Sequence, residues 1–577
     1  MSSSPEFDPN TYFVHYYKRT EDEDISILKW PDPLVLLAIL ALCARLHPTL
    51  VRRYGEFNED VDPQLYVPNL VARGNQEDNL KSYSHSASKY FGWHARMMLR
   101  NVFDRPTVQR VQALTMLSSH EWGEKNVARS FSYIGIAARM SLLLGLGETN
   151  SLCYENEKLK GSDQKSTFIR QEVKRRTLWS VYMMDRCISS GRNRSSAIRV
   201  DDINIPLPCS ERDFAFGTNV KCMTFKELTS VLEEGKPTDL LSKSTSTSFT
   251  IATFEIWAHT AKWAGEGGAK NETVDPWLKT STHNKLSEQL DNLENMLPSH
   301  LQYNSINLDA HIADNSAGSF GYLHCIIFLS RIFLNREYLY VTPESLKKGW
   351  WESCTKKLVS SVKMSSTLIN TLSSLNLMVV APFTGFEIFT NAGTALYLSS
   401  FPSNVLQANL QHFKFPTKDF QEISLQNSRL LRHWGDVWTL ANCWVEWIEE
   451  MRKMFNHVTI RIGQDTEGSS LRNILLDYGS PIIEDENDRS VKTEDSSPFI
   501  DSKRTDSVGE APIALEISTQ QSQHPNIPVL SHSPLIRTPN SLEYGPSNLE
   551  SLEYFDIGSI FPGWYDAIHA DDPRNIY

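Results

Sequence analysis

Apolar residues recur every three or four positions over most of the first 454 residues, and alternating runs are scarce. That is the period of an amphipathic helix, so the body of this chain is restricted to helices packed on helices. Trp30-Pro31-Asp32-Pro33 sets a helix start, since Asp and Pro suit a cap and a first turn. After Pro106, one stripe runs through Val108, Val111, Leu114 and Leu117. A second, Phe131, Ile134, Ala138 and Leu142, is stopped by Gly145 and Gly147. A third helix, from Phe168 to Ser189, carries Val173, Leu178, Trp179, Val181, Tyr182, Met183 and Met184 on more than one face, as a helix packed on several sides does. Gly191, Pro206 and Pro208 then force an extended stretch. Further helices fit Phe254 to Ala264, Leu286 to Met296, Phe320 to Tyr340, Leu358 to Leu375, Phe386 to Leu398 and Leu430 to Met454. The expected fold class is all-α: a large multi-helix array with a disordered acidic C-terminal tail.

These stretches divide the chain into a lead-in (1–30), a first helical part (31–234, densest over 107–217), a loop (235–250), a second helical half (251–464) and a tail (465–577). From Gly479 onward Ser, Pro, Asp and Glu dominate, and too few apolar residues remain to offset the entropy of ordering the backbone. The tail from Gly479 holds 17 acids against 6 bases, so it carries nearly all of the net charge of −12. The body is close to neutral. Polyanion binding needs clustered Lys and Arg, and neither part has them. The first 24 residues add six acids against Lys18 and Arg19.

Leu34 to Ala44 is continuously apolar, yet eleven residues make only about 16 Å of helix where a membrane span needs roughly 20 residues. Acids precede it instead of the positive start of a signal peptide. It reads as a buried helix, with no membrane partner. No two of the eight cysteines are closer than 13 residues, which excludes a compact zinc knuckle and points to reduced, buried thiols. His120-Glu121-Trp122-Gly123-Glu124 starts like a zinc-protease helix but has Glu124 where the second histidine belongs. Gly265-Glu266-Gly267-Gly268 lacks the Lys-Ser/Thr of a phosphate loop, and Asp201-Asp202 lacks a third aspartate for magnesium. No nucleophile elbow is present, so the chain is read as no enzyme, with no cofactor of its own.

One block is more distinctive: Glu172, Arg175, Arg176, Trp179, Tyr182, Asp185 and Arg186, then Gly191-Arg192, Asp202, Leu207-Pro208, Ser210 to Phe214 and Gly217. Together they resemble the middle-homology region of fungal zinc-cluster transcription factors, also described as the regulatory domain of xylanolytic activators. Weaker echoes are Arg331 to Tyr340, Pro382 to Leu398 and His433 to Met451, and Asn193 stands where the family usually has proline. Two readings of the block stand side by side. Glu172 and Arg176 pair along one helix face, and Arg175, Asp185, Arg186 and Arg192 pin the helix to Leu207-Pro208. Alternatively, the arginines hold an anionic effector or partner.

The resemblance implies a nuclear regulator of RNA polymerase II transcription. Zinc and DNA binding would belong to the family's six-cysteine module, which is absent from this chain. DNA would then be reached through that module or through a DNA-binding partner or homodimer. A small-molecule effector would sit among helical aromatics, with Phe383, Phe386, Phe389, Trp434 and Trp438 as candidates. In the tail, residues 549–568 interleave Leu552, Tyr554, Phe555, Ile560, Phe561 and Trp564 with acids, the pattern of a disordered activation segment that docks coactivators or transcription machinery. Lys492 lies in a SUMO-acceptor-like motif, and Ser480, Ser497, Ser533 and Thr538 each precede proline. The alternatives are a helical interaction protein acting as a dominant-negative regulator, or a helical enzyme on an apolar substrate.

Overall fold

A computed structural model of the chain describes residues 32–61, 63–68, 84–148, 164–191, 194–340, 346–400 and 417–460. Sixteen α-helices lie within them: α1 (Pro33–Cys43), α2 (Pro48–Tyr54), α3 (Ser84–Leu99), α4 (Val108–Gly123), α5 (Val127–Leu143), α6 (Gln164–Ser189), α7 (Glu211–Phe216), α8 (Phe225–Glu234), α9 (Ser246–Gly265), α10 (Thr282–Met296), α11 (Ser305–Ala313), α12 (Ala317–Arg336), α13 (Lys348–Ser374), α14 (Pro382–Ser400), α15 (Thr417–Trp434) and α16 (Thr439–Ile460). The one strand-type pairing among the described residues is an antiparallel bridge between Pro206 and Thr224. The body is all-α, as its periodicity requires.

Capping chemistry sets many of the helix starts. Asp32 Oδ1 accepts the Leu34 N–H at 2.8 Å, and Pro33 fills the first position of α1, where a missing N–H costs nothing. Thr107, Ser210, Thr245, Ser281 and Asn304 cap α4, α7, α9, α10 and α11 in the same way. Thr224 and Glu227 close a reciprocal capping box on α8.

Some elements depart from the sequence reading. Helix α9 starts at Ser246, not Phe254, so the end of the expected 235–250 loop is helical. Its Ser/Thr-rich first turns are polar, but two of the hydroxyls are satisfied on the helix's own backbone: Thr250 Oγ1 donates to Ser246 O (2.9 Å) and Thr253 Oγ1 to Phe249 O (2.7 Å). The single helix read over Leu430 to Met454 is two helices, α15 and α16, separated at Gly435 to Trp438. Trp438 Nε1 donates to Val380 O at 3.1 Å, a tertiary bond made by the break. Helices α2, α3, α7, α8 and α11 had no counterpart in the periodicity, four of them because they are short.

Helix α1 packs on α3 and α4, α4 on α5, and α6 against α4, α5 and α9. Helix α9 lies on α12, α12 on α13 and α14, and α14 on α15 and α16. Helices α14 and α16 then touch α4 again, so the last described helices return to the first. Pro382 to Ser399 is buried throughout. Ala317–Leu339 is long and apolar enough to cross a membrane by length and composition, but 83% of its apolar window is buried inside the fold, as a core helix would be.

Candidate functional site

Three residues on one face of α6 fasten the extended segment that follows it. Glu172 is wholly buried and accepts Arg175 Nη1 (2.5 Å), Arg176 Nε (3.0 Å) and the Cys209 N–H (3.0 Å). Arg176 donates through Nη1 to both Glu211 oxygens (2.8 and 2.9 Å) and through Nη2 to Cys209 O (3.0 Å), with its guanidinium 4.4 Å over the Phe214 ring. Trp179 Nε1 donates to Pro206 O at 2.9 Å. Positions i, i+4 and i+7 line up along the helix, so the 206–211 segment is held along two turns of α6. Burial by itself would depress the Arg176 pKa, but Glu211 and Glu172 outweigh it and hold the guanidinium above its ordinary value.

Further along α6, Asp185 accepts the Ala197 N–H (3.0 Å to each oxygen) and the Ile198 N–H (3.2 Å). Arg186 donates to Ile198 O (2.9 Å) and to Glu255 on α9 (2.8 Å), which also accepts the Tyr182 hydroxyl (2.5 Å). The Glu172–Arg176 pair is therefore interior, not a surface pair. Arg175 meets Glu172, and Asp185 and Arg186 hold residues 197–198, so none of these three reaches Leu207-Pro208. Leu207 is buried, with its N–H on Met223 O (2.7 Å). At Gly191 the Arg194 guanidinium fills the space of a side chain, 1.4 Å from where a Cβ would stand. Arg192 lies outside the described residues.

A second buried network went unread in the sequence. Arg45 spends all five N–H groups inside the protein: Nε on Ser88 Oγ (3.0 Å), Nη1 on Glu124 Oε1 (2.6 Å) and Val437 O (2.7 Å), Nη2 on Ala41 O (3.2 Å) and His120 Nδ1 (2.8 Å). Because arginine only donates, His120 Nδ1 is the acceptor and the ring is neutral; burial, with Arg45 beside it, lowers its pKa to about 4. Burial would raise the Glu124 carboxyl, yet Arg45 and the neighbouring histidines bring it well below the usual range. Thr439 Oγ1 donates to Glu124 Oε2 at 2.8 Å. The available sequence signals were a cation directly after the apolar run Leu34–Ala44 and two acids, Glu121 and Glu124, on an apolar helix.

Between these networks lies a cavity of about 110 Å³. Helix α6 gives it Trp179, Ser180 and Met183; α4 gives Ser119 and Trp122; and the chain entering α14 gives Val379 to Phe383. Trp438 closes another side, with Arg45 4.1 Å over its ring. Of the aromatics read as an effector pocket, Phe383 and Trp438 line this space. Phe386 instead packs in the core near Trp257 and Phe333, Phe389 stacks with Trp444 at 6.2 Å, and Trp434 is buried at the end of α15. The lining residues that the sequence did not flag, such as Trp122 and Tyr322, reach the cavity from helices far apart in the chain.

Leu552, Tyr554, Phe555, Ile560, Phe561, Trp564, Lys492, Ser480, Ser497, Ser533 and Thr538 lie outside the described residues. Among the described residues no three His, Cys, Asp or Glu side chains are grouped to hold a metal, and the seven described cysteines are dispersed, so a zinc cluster does not fit them.

Residues 5–295 match the family model described as the fungal specific transcription factor domain. The chain is similar to the Zn(2)-C6 fungal-type transcription factor FTF1c of Fusarium oxysporum f. sp. lycopersici, 25% identical over 405 residues (67% of this chain, 40% of that protein). FTF2 of the same organism is 25% identical over 392 residues (67% and 35%). A transcriptional regulatory protein of Schizosaccharomyces pombe, PB1A11.04c, is 24% identical over 465 residues (73% and 63%). The chain thus spans 35–40% of the length of the Fusarium relatives. No solved structure matches.

Proposed function

This chain belongs to the fungal specific transcription factor domain family, and on that premise we propose that it regulates RNA polymerase II transcription in the nucleus. The observation that carries this reading is the family match over residues 5–295, a range that includes the α6 block with its anchored 206–211 segment. In this reading the helical body is the regulatory region, and the acidic tail with residues 549–568 recruits coactivators or transcription machinery. DNA is reached through the family's zinc-bearing module or through a DNA-binding partner or a second copy. A small-molecule effector would act on the helical body. No catalytic role is assigned to any residue. The Arg175, Arg176 and Arg186 side chains, committed to internal carboxylates and carbonyls, support the architectural reading of the block over the anion-binding one.

The test is removal of the gene from its native host, with the tagged chain imaged in parallel. Nuclear enrichment and a reproducible set of altered transcripts are expected. A tagged chain excluded from nuclei, with an unchanged transcript profile across several growth conditions, would overturn the proposal.

A further inference from the structure

The cavity between α4, α6 and Trp438 has a chemistry of its own. Its lining is mostly carbon and includes Trp122, Trp179, Met183, Phe383 and Trp438. Among the described residues the one permanently charged member of the lining is Arg176, whose guanidinium is already shared among Glu172, Glu211 and Cys209 O. Cys187 and Tyr322 also line it, and burial pushes both well above their ordinary pKa values, so thiol and phenol are neutral. A charged occupant would give up hydration there and find no uncommitted counter-charge.

The polar part of the lining is specific. Thr250 and Ser319 donate their hydroxyls to backbone carbonyls of Ser246 and Ser316. Among the described residues, Ser119, Ser180 and Thr247 find no hydrogen-bond partner for their hydroxyls. An apolar space edged by three spare hydroxyls is suited to a molecule that is mostly carbon with one or two polar atoms. At about 110 Å³ it is somewhat smaller than the apolar cavity of about 150 Å³ that takes benzene, so the scale is one ring.

We propose that this cavity is a binding site for a compact, uncharged, single-ring molecule bearing a hydroxyl or similar hydrogen-bonding group. Its occupant touches Trp179, which holds the 206–211 segment, and Trp438, which lies under Arg45, so binding favours one arrangement of both networks together. That regulatory consequence rests on the transcriptional reading above; the binding does not.

Phenol, benzoate and benzylammonium, one ring each and neutral, anionic and cationic, test this by calorimetric titration and thermal shift on the full chain. Phenol is expected to bind at one site and raise the melting temperature, with the two ions at least about tenfold weaker. Ser180→Phe and Met183→Trp, which fill the space, should abolish phenol binding. If both fail to fold, Ser180→Ala with Thr247→Val keeps the volume and should weaken phenol several-fold while leaving benzene unchanged. Absent phenol binding, benzoate binding as tight as phenol, or phenol binding retained in a folded filled variant would overturn the site. A chain that regulates a reporter yet binds no phenol loses this site alone; one that binds phenol yet regulates nothing loses the transcriptional reading alone.

Discussion

At the residue scale, buried charges dominate the chemistry, and two of them lead to measurable expectations. Glu172 is the hub for two guanidiniums and a backbone N–H, all inside the protein. Glu172→Gln removes the charge that compensates Arg175 and part of that for Arg176, and breaking a buried pair in this way costs roughly 3–5 kcal/mol. The urea midpoint should fall accordingly; an unchanged midpoint would mean that the pair contributes nothing. Glu387 is the opposite case, a carboxyl on α14 whose Oε1 accepts the Ser365 hydroxyl at 3.1 Å. Burial raises its pKa from 4.5 to about 7, against hydrogen bonds from Cys325 and Ser365 that lower it. Folding therefore favours its neutral form. The stability that form supplies is complete below about pH 4.5 and lost as pH rises through about 7, and at about 1.4 kcal/mol per pKa unit the loss is on the order of 3 kcal/mol. Glu387→Gln stays neutral, so its stability relative to the native chain should rise between about pH 5 and pH 8; parallel denaturation curves across that range would rule the shift out. The sequence displayed the types and spacing of Glu172 and Arg176. Their burial was not legible, because it depends on residues 206–211 coming back over α6.

At the element scale, helices were legible wherever apolar residues recurred at helical spacing, as in α4 and α5, although α4 is buried on nearly all sides and Leu142, the last member of the α5 stripe, is exposed. They were misread where polar residues cap or satisfy a helix internally, as in α9, and where a tertiary contact breaks one. The α15–α16 break places Trp438 directly on α4. A Cβ at Gly123 would stand 2.0 Å from the indole Cε3, so only glycine admits this approach. Gly123→Ala is expected to displace the indole and destabilise the fold by roughly 1–3 kcal/mol, as overpacking does. Thermal denaturation would show it, and an unchanged melting temperature would mean that the two helices are not pressed together at this point. Of the five aromatics that the family resemblance suggested for a pocket, Phe383 and Trp438 line the cavity. Phe386 and Phe389 share the same aromatic pattern but face the core, a distinction that only the packing of α14 on α12 and α16 makes.

At the scale of the whole molecule, Arg45 bonds Ser88, Glu124 and Val437, the last of them 392 positions further along the chain. The α6 block and this clamp border one cavity, so a signal bound there would be felt by both. Such long-range closure has no local signature, which is why the helical class was legible and the clamp was not. The outward step assigned to this body is transcriptional. It is tested most directly by tethering the full chain to a reporter promoter through a foreign DNA-binding module, beside a version with Phe555, Phe561 and Trp564 changed to alanine. The full chain is expected to raise reporter output several-fold and the triple variant to lose most of that gain at equal protein level. Output from the full chain no different from that of the foreign module alone would contradict the reading of residues 549–568 as an activation segment.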